Sequence, residues 1–513
     1  MQTRSIRRDT IRLTIIQFIL ECVTLSLNLW LTRKAGTAAV GMIALVGTFF
    51  QFASTATGGS GYLCASRFVS EELGKSSGNP ERILRYAVRF SLILGIPGCV
   101  IVLFAAPYIA AHFFQDPAMS DPVRILALIL PIGGIGACMK GWCNAVCRVN
   151  VAAACDVVEF AVRTGVLAVF LQRVKAPDVR SLCVTLAVSM AAAALVSLAI
   201  LLADFCIHRM RSTAKASVRF GQYLQFAIPV ILGGILTSAL STTNDALIPF
   251  TLRQSGSSAE AALSQFGVFE AIVIPVLFFP STILCVLSGL LIPEAARAAA
   301  GGKKARLQYL TRRALSWTML FSVFVAAVLL VLGDFIAAQM QADPLAGRMI
   351  RLLAPVVPFI YLEIILEALI KGMGQQRFSS LNYLGEYAVR ISAVLILIPL
   401  FGFYGIIVSY YASNICGNCV RLWKAFRITG LAPDWRELLL RPLFSAAAAF
   451  LLPFTVLRCM GLHPTESWLW VLIYIAAAVL MYLGTARLMR FQTTTSASAY
   501  GTTRLRSLSD TSS

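Results

Sequence analysis

The chain has 513 residues, of which 58% are hydrophobic and 13% charged, with a mean hydropathy of +0.77. Soluble domains carry about 25% charged residues, so water is excluded as the main solvent, and the long apolar runs read as helices in lipid. The net charge of +20 does not point to nucleic acid, because Lys and Arg recur at every second connection between apolar runs, the pattern that orients membrane helices.

From the N-terminus, Arg4, Arg7 and Arg8 precede the apolar stretch 11–31. A hydrocarbon core about 30 Å thick needs about 20 residues per helix, so this stretch is long enough to cross. No small-residue cleavage site follows it, which favours an uncleaved first span over a signal peptide. Further spans are predicted near 38–60, 87–112, 123–146, 152–172 and 181–207, then 222–250, 264–292, 314–340, 349–371, 382–400 and 402–423. Two more fall near 442–461 and 467–488, followed by a Ser/Thr-rich segment whose composition predicts disorder. The expectation is an all-α polytopic membrane protein with about fourteen transmembrane helices.

One set of connections, with Arg67, Lys75, Arg82, Arg85, Arg209, Arg211, Lys215, Lys303, Lys304 and Arg306 among its members, holds about 28 basic residues. The alternate set, including Arg33, Lys34, Arg173, Lys175 and Arg253, holds about 8. The richer side belongs in the cytoplasm, so both termini are expected inside, which requires an even number of spans.

The strongest organisational signal is an internal repeat. A shift from Arg85 to Arg312 also carries Asp116-Pro117 onto Asp343-Pro344, Arg124 onto Arg351, Pro131 onto Pro358, and Glu159-Phe-Ala-Val-Arg163 onto Glu386-Tyr-Ala-Val-Arg390. Six spans recurring after six give two copies of the same orientation, as in transporters built from parallel repeats. The expected domains are a six-helix lobe over 1–220, a second over 221–430, two additional helices over 431–490, and a disordered cytoplasmic tail over 491–513.

Ionisable side chains at bilayer depth cost about 2.5–3.5 kcal/mol each and need a partner, water or an interface. The predicted spans contain Glu21, Lys140, Asp156, Glu159, Arg163, Asp245, Glu270, Glu363, Glu367, Glu386 and Arg390. Spacing of four places Glu159 with Arg163, and Glu386 with Arg390, on one helical face. Two readings stand for these pairs. They are neutralised pairs that let a span insert, or the arginines, one per lobe, present guanidinium forks to a phosphate group, with Lys140 beside them.

Asp245 follows Ser241, Thr242, Thr243 and Asn244, a run of hard oxygens suited to Na⁺ or a proton, or to lining a wet cavity. Glu21 and Glu270 are further candidates for ion coupling, and Asp156, Glu363 and Glu367 are expected to hydrogen-bond across helices. Recurrent in-span prolines (Pro97, Pro131, Pro229, Pro249, Pro275, Pro280) suit helices that must flex. The thirteen cysteines read mainly as small core residues, because His112, His208 and His463 lie far apart and offer no metal-ligand set. Neither a metal nor a resident cofactor is expected.

Several segments carry a family resemblance. They are the basic-then-glycine ending of the first span at Arg33 and Gly36, Ser70-Glu-Glu-Leu-Gly-Lys75 followed by Arg82-Ile-Leu-Arg85, Val157-Val-Glu-Phe-Ala-Val-Arg163, Asn244-Asp-Ala-Leu-Ile-Pro249, and Pro275-Val-Leu-Phe-Phe-Pro280. Over about the first 430 residues the chain resembles the multidrug/oligosaccharidyl-lipid/polysaccharide exporter superfamily, in the polysaccharide flippase branch that contains stage V sporulation protein B. The resemblance implies a two-lobed, MATE-like fold working by alternating access, a polyprenyl-diphosphate-linked saccharide as cargo, and a bacterial plasma membrane. Membrane lipids are the other partners, and a monomer is expected. It differs from lipid II flippases in placing Glu21, rather than basic residues, within the first span. A cation-coupled drug or metabolite antiporter of the same superfamily is the alternative. An enzyme is not expected: the outer loops are short, and no HExxH, G-x-S-x-G or Walker A pattern occurs.

Overall fold

The computed structural model describes residues 2–59, 61–73, 78–174, 178–208, 218–340, 342–459 and 468–509. Lys75, Lys175, Arg209, Arg211, Lys215 and His463 lie outside the described residues, as do the side chains of Arg4, Arg7 and Arg8. Among the described residues there is no β-strand. The helices run α1 Gln2–Ala35, α2 Thr37–Leu73, α3 Pro80–Phe114, α4 Pro117–Ala145, α5 Val149–Arg173, α6 Val179–Ile207, α7 Phe220–Gln254, α8 Ala259–Ala299, α9 Lys304–Gln339, α10 Pro344–Gly372, α11 Gln376–Phe401, α12 Phe403–Thr429, α13 Arg436–Cys459 and α14 Trp468–Ser509. These match the predicted spans in number and order. The backbone of α14 continues into the Ser/Thr-rich tail, where side chains from 490 onward lie outside the description.

Eleven of these helices are long and apolar enough to cross a membrane among the described residues. The remaining three are α1, of which the first side chains are undescribed, and α5 and α12, whose sequences are more polar. Helix α5 carries Asp156, Glu159 and Arg163, and α12 carries Ser409, Ser413, Asn414 and Asn418.

The repeat is visible in how helices begin. Asp116 accepts a hydrogen bond from the Ala118 amide at 2.9 Å, and Asp343 accepts one from the Leu345 amide at 2.8 Å. Each is an N-cap aspartate followed by proline, which satisfies one orphan amide and needs no other. The thirteen-residue run Gly61–Leu73 that ends α2 is set off from its first part by a widened turn at Thr55–Gly59, where Gly58 takes φ 148°. A Cβ there would lie 2.5 Å from Ser91 Oγ, so glycine serves both the turn and the close passage of α3.

Packing groups the chain into two compact units, Met1–Pro275 with Tyr383–Ser409, and Val276–Asn382 with Tyr410–Ser513. This grouping cuts the chain elsewhere than the repeat does, because the repeat records duplication of sequence whereas packing gathers α7, the first half of α8 and most of α11 with the first six helices. Unit 1 has a core around Phe68, Phe90, Trp142 and Tyr223, with a second cluster joining Leu31, Val40, Leu167 and Leu182. Within it α2 and α8 cross with almost no space. A Cβ on Gly41 would sit 2.2 Å from the Leu263 carbonyl oxygen, and one on Gly267 2.2 Å from that of Thr37. The hydroxyls of Thr37 and Ser264, equivalent positions of the repeat, hydrogen-bond to each other there. Equivalent residues meet only near a two-fold axis, as a parallel repeat requires.

Unit 2 is built on Phe324, Phe450, Tyr474 and Tyr482. Its buried tyrosines are satisfied: Tyr474 donates to the Phe450 carbonyl at 2.9 Å, Tyr482 to Leu320 at 2.8 Å and Tyr361 to Leu277 at 2.9 Å. Unsatisfied hydroxyls at this depth would cost far more than the rings gain by specificity alone.

Candidate functional site

Two groups of ionisable side chains occupy the spans of unit 1. The first lies where α4 packs beside α5. Lys140 Nζ donates to Asp156 Oδ1 at 2.6 Å and to Glu159 Oε2 at 2.9 Å. Glu159 is therefore committed to Lys140, and the expected Glu159–Arg163 pair does not form. The spacing of four allowed it, but the ammonium on the neighbouring helix offers a shorter contact shared with a second carboxylate. Arg163 makes no ion pair or hydrogen bond among the described residues; its guanidinium stands 5.6 Å from the Phe160 ring centroid and feels Glu159 only at longer range. A half-buried guanidinium so placed keeps its fork of donors open to an anion.

The second group draws on α2, α7, α8 and α11. Asp245 accepts from Asn244 Nδ2 at 3.1 Å, and the Thr48 hydroxyl lies within its hydrogen-bond reach. Glu270 and Arg390 are electrostatic neighbours of Asp245 and of each other. Arg390 Nη2 donates to Glu386 Oε1 at 3.4 Å, with only 12% of the Arg390 and 3% of the Glu386 side chain exposed. Thus the second Glu-x-x-x-Arg pair does form, weakly, while the guanidinium also lies 5.1 Å from the Tyr387 ring centroid. Three carboxyl groups share one guanidinium. Asn244 is buried and its Oδ1 has no hydrogen-bond partner among the described residues, and Glu270 forms no hydrogen bond or ion pair among them. Such hard oxygens suit a small cation or a proton. Glu21, half-buried on α1, joins neither group and has no partner among the described residues.

Unit 2 holds an ion cluster that sequence reasoning missed in part. Arg421 on α12 is fully buried. Its Nη2 donates to Glu363 Oε1 at 3.0 Å and its Nε to Glu367 Oε1 at 2.9 Å. Glu367 also accepts from the Ser379 hydroxyl and lies 3.2 Å from Lys371. Cross-helix bonding of Glu363 and Glu367 was expected; Arg421 was not among the candidates. The signal was present as Asn414, Asn418 and Arg421 at i, i+4 and i+7, a single polar stripe. Under the repeat shift Lys140 and Glu367 are equivalent positions of opposite charge, but their partners are not equivalent: Asp156 and Glu159 lie on α5, whose counterpart is α11, whereas Arg421 lies on α12, the counterpart of α6. No cluster of His, Cys, Asp and Glu suited to a metal occurs among the described residues.

A family model described as "Polysaccharide biosynthesis protein" matches residues 6–298. The chain belongs to this family. A curated relative shares its sequence pattern, and solved transporters share its architecture. Stage V sporulation protein B of Bacillus subtilis (strain 168) is 21% identical over 376 residues, covering 72% of this chain and 73% of that protein. The solved structure of the lipid II flippase MurJ in an inward closed conformation superposes with a TM-score of 0.68 at 13% identity, over 94% of this chain and 99% of that one. An inward-facing multidrug resistance MATE family transporter gives a TM-score of 0.61 at 14% identity, over 80% of this chain and 94% of that one. The family member described here is thus a multi-pass helical membrane protein with the fold those transporters share.

Proposed function

We propose that the protein is an alternating-access flippase for a polyprenyl-diphosphate-linked oligosaccharide used in cell-wall or surface polysaccharide synthesis. The observation that carries this reading is the open guanidinium of Arg163, freed because Lys140 engages Glu159. An arginine with no carboxylate bound to it is costly at this depth and suits a diphosphate, to which its fork donates in pairs. Arg390 and Lys140 supply further positive charge, while Glu159 and Glu386 hold these cations in place between cargo molecules. The family's role in polysaccharide biosynthesis and the lipid II flippase activity of MurJ support the same cargo class.

Asp245, Asn244 and Glu270, with Glu21 as an outlying acid, form the proposed coupling site for Na⁺ or a proton. The close crossing of α2 and α8 lies at the helix ends remote from the basic connections, which supports access from the basic side. With that side cytoplasmic, both termini are cytoplasmic, and the membrane is the plasma membrane of a bacterium. The second reading is a cation-coupled antiporter, favoured by the three carboxyl groups around Arg390. Reconstituted protein with a fluorescent polyprenyl-diphosphate oligosaccharide, under imposed Na⁺ and proton gradients, separates the two. Flipping supports the first reading; no flipping together with gradient-driven export of a cationic dye establishes the second.

A further inference from the structure

Unit 2 contains a second feature that the proposed transport chemistry does not use. A cavity of about 630 Å³ opens between α9, α13 and α14, within the range of about 300–1,000 Å³ typical of ligand pockets. Its walls are apolar and largely aromatic, with Phe321 and Phe324 on α9 facing Tyr482 and Leu483 on α14. The aromatic floor is fixed, since Phe324 lies 5.2 Å from Tyr482 by ring centroid and 5.6 Å from Phe450. Trp317, 60% exposed, stands at its open side, where an amphipathic ring marks a lipid boundary.

One end of the cavity is cationic. Arg312, Arg313, Arg441 and Arg487 line it. Arg312 lies 3.6 Å from both Asp434 and Glu437, and Arg441 3.8 Å from Glu437. Arg313 donates to the Tyr309 hydroxyl, and neither Arg313 nor Arg487 has an ion pair among the described residues. Among the described residues, four guanidiniums meet two carboxylates, leaving an excess of two positive charges above an apolar slot. From Arg313 to Phe324 is a helix length of about 16 Å at about 1.5 Å per residue, close to the hydrocarbon depth of one leaflet, about half of 30 Å.

We propose that this slot is a binding site for an anionic phospholipid, with the phosphate headgroup on Arg313 and Arg487 and one acyl chain along Phe321, Phe324 and Leu483. The argument is charge complementarity joined to depth. An apolar slot alone accepts any chain, but an excess of two arginines at its mouth selects a negative head, and a slot one leaflet deep fits a lipid that stays in its leaflet. The lipid then wedges α9 against α13 and α14, the two helices outside the repeat, and binding to the folded state alone raises stability. This inference does not rest on the flippase reading.

The test uses the full chain in neutral detergent, with thermal unfolding and native mass spectrometry as readouts. Phosphatidylglycerol is expected to raise the melting temperature and to be retained as a one-to-one adduct, while phosphatidylcholine does neither. Arg313→Gln/Arg487→Gln is expected to weaken phosphatidylglycerol binding at least tenfold while unfolding as wild type does without added lipid, since both residues are exposed. Leu483→Trp, which fills the slot and leaves its charges, is expected to lose the adduct as well. Equal stabilisation of wild type and the double variant by phosphatidylglycerol overturns the proposal. So does equal binding of phosphatidylcholine, or a slot that takes a polyprenyl diphosphate which phosphatidylglycerol cannot displace.

Discussion

Arg421→Ala is the substitution from which the fold is expected to suffer most. The guanidinium is fully buried and holds Glu363 and Glu367 at 3.0 and 2.9 Å, so its removal leaves two carboxylates among packed helices. Breaking a buried pair costs about 3–5 kcal/mol, because the surviving charge loses its partner; since Glu367 keeps Lys371 at 3.2 Å and the Ser379 hydroxyl, the lower end is expected. At about 2–4 °C per kcal/mol for a unit of this size, the apparent melting temperature falls by about 6–12 °C. The assay is thermal unfolding of the purified protein in one detergent, followed by fluorescence-detected size exclusion. Replacing all three charges, Arg421→Met with Glu363→Gln and Glu367→Gln, is expected to recover most of the loss, since a buried ion cluster replaced by neutral groups of similar volume is often neutral or stabilising. A drop below about 2 °C for Arg421→Ala, or a triple variant no better than the single one, would refute the assignment of this cluster as the lock between α10 and α12.

Further outcomes are expected in unit 1. Lys140→Ala strands Asp156 and Glu159 and is expected to lower folded yield and melting temperature, with Lys140→Arg retaining most of both; an Arg variant as poor as Ala contradicts the ion-pair role. Gly41→Leu places carbon where the Leu263 carbonyl stands 2.2 Å away, and overpacking of this kind costs about 1–3 kcal/mol. Its melting temperature is expected to fall by several degrees, and wild-type stability contradicts the close crossing. Asp245→Asn keeps the side-chain shape but removes charge, so transport is expected to lose its dependence on a Na⁺ or proton gradient. A gradient response equal to wild type removes Asp245 from the coupling site.

Much of the architecture was legible before any coordinates, and the reason is the bilayer. Apolar length sets each span, and the Asp116-Pro117 and Asp343-Pro344 pairs mark helix starts because cap chemistry is local. The choice of ionic partner was not legible. Glu159 had two cations in reach, Arg163 on its own helix and Lys140 on the next, and only packing decides between them. Asp245, Glu270 and Arg390 come from three helices, and no sequence spacing brings them together. Arg421 was hidden near a predicted span end, where an arginine usually reads as a loop charge; its stripe with Asn414 and Asn418 was the clue that it faces inward.

The most direct test of the transport account is the rate at which a fluorescent polyprenyl-diphosphate oligosaccharide crosses proteoliposome membranes, for wild type and for Arg163→Ala/Arg390→Ala. The account predicts rapid flipping by wild type and loss of at least tenfold in a double variant that still elutes as a folded protein. Equal flipping by both would contradict it and return the two arginines to a purely structural role.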